Sequence, residues 1–234
     1  MKLLTVAGPP SSGKTSVILH LARVLRECSG LRVGVVKFDC LSSSDAEAYE
    51  KQHIPVRVGL SVNLCPDHFY ISNIEDALQW AASVGLDLLA AESAGLCNRC
   101  SPHIRDVPAI CVIDNLSGSR TPEKIGPMLK FADTVVVTKG DIVSQAEREV
   151  FGHHIRKVNP RAGVVFVNGI TGQGTMSLLR QLRFPEFDTL QDRRLRFTMP
   201  SALCSYCTGQ TRIGRGYQMG NLRKMDFGGA ENDR

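Results

Sequence analysis

No apolar run in this 234-residue sequence approaches the roughly 18 residues needed to cross a bilayer. Its first residues also lack a basic stretch followed by a long apolar one and a cleavage site, so a cytoplasmic protein is expected. Charge of one sign is scarce as well. The 28 Lys and Arg against 23 Asp and Glu leave +5, a mild excess that serves solubility, and neither a membrane nor a nucleic acid is expected as a partner. Internal repeats and low-complexity segments are absent, and the 43% hydrophobic content is that of an ordinary globular chain.

Cysteine, by contrast, is plentiful. Eight cysteines without a leader speak against a disulfide framework, because a reducing compartment keeps thiols free for metals, catalysis or packing. Cys28, Cys40 and Cys111 stand alone in helix-like or strand-like surroundings and are expected to be small buried hydrophobes. Cys97 with Cys100, and Cys204 with Cys207, form two CxxC pairs.

Short apolar runs alternate with helical patterns along most of the chain. KLLTVAG, RVGVVKFD, PVRVGL, LDLLAAES, VPAICVID, ADTVVVTK and AGVVFVNG read as strands covered on both faces. VILHLARVLRE, DAEAYEKQ, IEDALQWAASVG, AEREVFGHHIRKVN and TMSLLRQL read as helices between them, with His153 and His154 on a surface. This alternation predicts an α/β fold with a doubly wound, mostly parallel sheet. It stops at residue 184. The expected division is therefore a main domain over 1–184 and a short, Cys-containing, basic extension over 185–234, too short for a core of its own and bound to dock on the main domain or on a metal.

GPPSSGKTS, residues 8–16, follows the first strand and opens the first helix, which is the context that the pattern G-x-x-x-x-G-K-[ST] requires. Gly8 and Gly13 permit a tight turn whose N–H groups, from Ser11, Ser12, Gly13, Lys14, Thr15 and Ser16, converge on phosphate. Lys14 spans the β- and γ-phosphates, and the Thr15 hydroxyl is a Mg²⁺ ligand. The loop predicts nucleotide binding and does not by itself name the nucleotide. Asp39 and Glu92 end two strands at the edge where parallel sheets place ligands, within reach of Mg²⁺ or an attacking water. Thr138, Lys139 and Asp141 end another. Asp141 can accept from guanine N1–H and its exocyclic amine, with the Lys139 stem on the ring.

These motifs together resemble the HypB/UreG group, the P-loop GTPases that help insert nickel into hydrogenase and urease. The resemblance rests on GPPSSGKTS, on FDCLSSSDAEAY with Asp39 followed by Asp45-Ala46-Glu47, on LCPDH (64–68), on LDLLAAESAG, on VTKGD and on VNGITGQG (167–174), and covers residues 1 to 182. It implies a GTPase that uses GTP and Mg²⁺, forms a homodimer, and couples hydrolysis to delivery of a metal to a client metalloenzyme or another maturation factor. Two departures stand out: Thr138 replaces the usual asparagine, and Asp67 separates Cys65-Pro66 from His68. No His-rich stretch precedes the loop, so metal storage is not implied.

Cys65, His68, Cys97 and Cys100 fall in two loops on the nucleotide side, and thiolates with an imidazole suit Ni²⁺, Zn²⁺ or an iron–sulfur cluster. Cys204 and Cys207 can complete a four-thiolate site with Cys97 and Cys100, act with a partner's ligands, or form a redox pair. From Arg193 to Lys224 seven basic residues and no acidic one form a strip suited to an acidic client, or to a solvated face. Two rival functions share the loop: an ATP-dependent small-molecule kinase or ATPase, and a metal sensor or scaffold that binds nucleotide with negligible turnover.

Overall fold

Runs of Val, Ile, Leu and Ala that carry no polar alternation can be buried only between two layers, and seven of them pair side by side here. The structure is a computed structural model describing residues 1–41, 45–198, 205–206 and 209–228, so Cys204 and Cys207 lie outside the described residues. The strands are β1 (Lys2–Ala7), β2 (Val33–Asp39), β3 (Val56–Leu60), β4 (Leu88–Ser93), β5 (Ala109–Asp114), β6 (Thr134–Thr138) and β7 (Gly163–Phe166). They form one sheet in the order β3-β2-β4-β1-β5-β6-β7, and every pairing is parallel. The chain builds β2 and β3 outward from β1, returns to insert β4 between β1 and β2, then builds β5, β6 and β7 on the other side. Ligands in such sheets gather at the carboxyl ends of the strands where the order reverses.

The helices are α1 (Lys14–Ser29), α2 (Asp45–Glu50), α3 (Pro66–Ser83), α4 (Thr121–Ile125), α5 (Pro127–Lys130), α6 (Gln145–Val158) and α7 (Thr175–Gln181). Leu4, Val6, Val35 and Ala90 face the layer that holds Ile18 and Leu21 of α1 and Leu178 of α7. Their neighbours Leu3, Val36 and Leu89 face the other layer, with α3. Cys111, Ile113, Val135 and Val137 face Ile125, Met128, Phe151 and Ile155 on that same side. Helix α3 begins eight residues earlier than its apolar periodicity predicts, because Pro66 at its first position has φ preset for a helix and needs no N–H partner. Cys111 is buried as expected of a lone cysteine, whereas Cys28, in the last turn of α1, is exposed.

The chain beyond residue 184 adds no strand to the sheet among the described residues, yet it shares the core. Phe187, Leu190, Leu195, Tyr206 and Ile213 pack in one cluster with α3 and with Leu3, Val36 and Leu89. Polar ties repeat along α3: Glu75 accepts from the Thr189 hydroxyl at 2.6 Å and from Leu190 N at 2.7 Å, and Asn73 bonds the backbone of Arg223 and Met225. Five of the seven basic residues of the strip have partners within the chain, although Arg194, Arg215, Arg223 and Lys224 are exposed. Arg196 pairs with Asp133, Arg215 and Lys224 with Asp76, Arg193 with Asp106 and the Phe187 ring, and Arg212 covers the Tyr217 ring.

Candidate functional site

The phosphate loop joins β1 to α1. A side chain on Gly8 would place its Cβ 2.0 Å from Val112 O, and Gly13, the N-cap of α1, has φ 89°, so both positions need glycine. Gly13 offers no side-chain cap, which leaves the first N–H groups of a 16-residue helix facing the loop. Lys14 is buried and its ammonium donates to Gly8 O and Pro9 O at 2.9 Å each. Burial holds its pKa below the ordinary lysine value, with Glu92 opposing. Among the described residues the buried ammonium is bound only by carbonyl oxygens and the wholly buried Ser12 hydroxyl has no partner, and both suit a polyphosphate. Ser11 has φ 58°, and Ser16, the third residue of α1, lies beside Gly169.

Thr15, Asp39 and Glu92 meet as the sequence suggested, but around a lysine that it did not single out. Lys37 of β2 is the register partner of Glu92 in β4. Its ammonium lies 3.0 Å from Glu92 Oε1, 2.5 Å from Asp45 Oδ2 and 3.8 Å from Asp39 Oδ2. The Thr15 hydroxyl donates towards the same Glu92 oxygen at 3.1 Å and Asp45 at 3.2 Å, and the buried Tyr49 hydroxyl donates to Glu92 Oε2 at 2.7 Å. Burial works against the charge on Lys37, yet Glu92 and Asp45 outweigh it and hold the ammonium above the ordinary lysine pKa. Burial likewise works against Asp45, and Lys37 outweighs it and keeps that carboxyl low. An all-oxygen set of one hydroxyl and three carboxylates fits Mg²⁺, and Thr15 would be its direct ligand. The signal for Lys37 was present: it is the one basic residue in VGVVKFD, two residues before Asp39 and so on the same face.

The end of β6 closes over the loop. The Thr138 hydroxyl donates to Ser12 O at 2.6 Å, and Lys139, with φ 56°, reaches Ser11 O at 2.9 Å. Beside them Asp141, Gly140, Arg148, Phe166, Asn168 and Gln173 line a cavity of about 240 Å³. The 168–174 loop borders it and is held to α1 by His20, whose ring bonds Gly169 O at 3.1 Å.

On the opposite face of β4 lies the thiol site. Cys65 is the N-cap of α3, and its sulfur, the Cys100 sulfur and an Asp67 carboxylate oxygen lie within 4.8 Å of one another. Contact with Cys100, reinforced by His68, holds the Cys65 thiol low, and contact with Cys65 together with burial pushes the Cys100 thiol up. Cys97 bonds to Cys100, but neither its sulfur nor the His68 ring joins the three converging ligand atoms. Asp67 is wholly buried, and burial followed by the Cys65 charge pushes its pKa up to about 7. In the sequence Asp67 only interrupts a Cys-Pro-His spacing, and nothing local marks it as a ligand.

Residues 2–166 match the CobW/HypB/UreG nucleotide-binding domain. The chain belongs to that family. This CobW/HypB/UreG-family chain is 46% identical over 227 residues to an uncharacterized protein of Methanocaldococcus jannaschii, covering 97% of each. Among solved structures it is similar to the hydrogenase maturation factor HypB from Archaeoglobus fulgidus, with TM-score 0.60, 20% identity and coverage of 76% of this chain and 86% of that one. It is also similar to HypB from Helicobacter pylori in complex with nickel, with TM-score 0.62, 20% identity and coverage of 76% and 83%. At that identity the two structural likenesses establish the fold. The family match makes the loop over Gly8–Ser16 that of a nucleotide-binding P-loop domain.

Proposed function

We propose that the protein is a GTP-hydrolysing metallochaperone: it carries a divalent transition-metal ion at Cys65 and Cys100 as cargo for a client metalloenzyme, and ties release to the state of its nucleotide. One observation carries this reading. Two thiols and the Asp67 carboxylate converge at the start of α3, on the same sheet edge as Lys14 and Thr15. A lone structural cysteine needs no such partner. Two thiolates favour a single borderline ion such as Zn²⁺ or Ni²⁺.

Lys14 and the N-terminal amides of α1 would stabilise charge on the transferring γ-phosphate. Mg²⁺, when bound at Thr15, supplies neutralisation of the phosphate oxygens. Glu92 and Asp39 orient the water, and Asp141 with the Lys139 stem selects guanine. A second copy of the chain, as the resemblance implies, would complete the working form.

The test is made on the full chain, purified under reducing anaerobic conditions. The expected results are a preference for GTP over ATP in competition with a fluorescent GDP analogue, slow release of inorganic phosphate, and about one equivalent of Zn²⁺ or Ni²⁺ lost on Cys65→Ser. Preference for ATP with transfer to a small molecule would overturn it in favour of a kinase. Stoichiometric GTP occupancy with no phosphate released, with or without client, would overturn hydrolysis.

A further inference from the structure

Asp67 is the odd member of the thiol cluster. Its Oδ1 accepts from the Ser93 hydroxyl at 2.6 Å, while its Oδ2 is wholly buried and has no hydrogen-bond partner among the described residues. Proteins rarely leave a buried carboxylate oxygen unmet, because its hydration is lost with nothing in return. The two sulfurs within 4.8 Å are not hydrogen-bonded to it among the described residues, and thiols are weak donors. A cation at the centre of the three atoms would satisfy all of them.

The residue that aims Asp67 belongs to the strand that serves the nucleotide. Glu92 and Ser93 are consecutive in β4, so their side chains leave opposite faces of the sheet. Glu92 goes to Thr15, Lys37 and Tyr49; Ser93 goes to Asp67. The Ser93 hydroxyl also accepts from Gly95 N at 3.3 Å. Gly95, at φ 69°, lies so close to the phosphate loop that a Cβ there would sit 1.7 Å from Gly8 O. The turn after β4 therefore touches the loop on one side and the thiol cluster on the other.

We infer that Asp67 is the third protein ligand of the ion held by Cys65 and Cys100, and that Ser93 is the positioning residue through which the nucleotide alters it. The inference rests on the metallochaperone reading and names the ligand and the link within that site. Two thiolates and one carboxylate make a donor set for a borderline divalent ion in a tetrahedral site with one position open to a client's ligand. A shift of Gly8 or of Glu92 on exchange of GDP for GTP moves the Ser93 hydroxyl, and with it the aim of the carboxylate. By linkage the ion must alter nucleotide affinity by the same factor.

Co²⁺ is the probe, since its thiolate charge-transfer and visible bands report ligands directly. With the full chain loaded with GDP or with a non-hydrolysable GTP analogue, the two Co²⁺ affinities are expected to differ by about fivefold or more. Asp67→Asn should lower Co²⁺ affinity at least tenfold and change the visible bands, whereas Asp67→Cys, which restores an anionic donor, should retain binding. His68→Ala should lower it less than Asp67→Asn does. Ser93→Ala should keep the ion bound but bring the ratio of the two affinities to about one. Unchanged bands and affinity in Asp67→Asn overturn the ligand assignment while leaving the metallochaperone reading intact. An undiminished ratio in Ser93→Ala overturns the link. Absence of any thiolate band in the unmutated protein overturns both this inference and the reading beneath it. Thermal melts of each variant separate loss of binding from loss of fold.

Discussion

Lys37 and Glu92 face each other across β2 and β4, their charged atoms 3.0 Å apart and almost wholly buried. Asp45 and Asp39 complete a ring of carboxylates around that one ammonium. Removing it would leave Glu92, Asp45 and Asp39 facing one another without the cation between them. Lys37→Met should therefore destabilise the protein by roughly 3 kcal/mol, the scale for leaving buried charge unpaired. Mg²⁺ should raise the melting temperature of the variant more than that of the unmutated protein. Equal responses to Mg²⁺ would show that the ion and the lysine do not meet the same carboxylates.

Among the described residues no carboxylate contacts the Lys14 ammonium directly, so its loss should weaken nucleotide binding without harming the fold. Lys14→Ala is expected to lower GTP affinity by about ten- to a hundredfold, the value of a charge-assisted bond to phosphate. Isothermal titration against GDP and GTP measures it, and the loss should be larger for GTP.

Asp141 borders the cavity beside the 168–174 loop and offers two acceptor oxygens to a base. Asp141→Asn exchanges one acceptor for a donor, which matches xanthine, whose C2 carries an oxygen, and mismatches guanine. Competition between GDP and xanthosine diphosphate should shift by at least about tenfold towards the latter. An unaltered preference would place the base elsewhere.

His103 is buried as a neutral ring, with Nδ1 3.0 Å from the Thr5 hydroxyl and Nε2 3.0 Å from Met128 O. Burial, with Arg196 adding to it, lowers its pKa to about 4. A base with a lowered folded pKa supports the fold fully above its ordinary value near 6.5, and that support is lost as pH falls towards 4. Stability should thus drop by roughly 3 kcal/mol over this window. Denaturant melts of His103→Gln should lack that portion of the acid sensitivity.

The seven strands were legible because buried parallel strands run apolar without interruption, and LDLLAAES or ADTVVVTK admits few other readings. The phosphate loop was legible because its spacing is local. Helices α4 and α5 were not, being two short turns broken by Pro122, Gly126 and Pro127. The bonds that define the site were hidden for another reason. Lys37 meets Glu92 55 residues away, and Ser93 meets Asp67 26 residues away. Such pairs follow from the register of β2 on β4 and from where α3 begins, and neither is written in local spacing.

The helix that presents Cys65 at one end is gripped at Asn73 and Glu75, near its middle, by Thr189, Leu190, Arg223 and Met225. A protease that clips the chain after residue 184 would thus slacken the seat of Cys65 without touching a single sulfur of the cluster. The damage would be felt at the far end of α3 rather than at the cut.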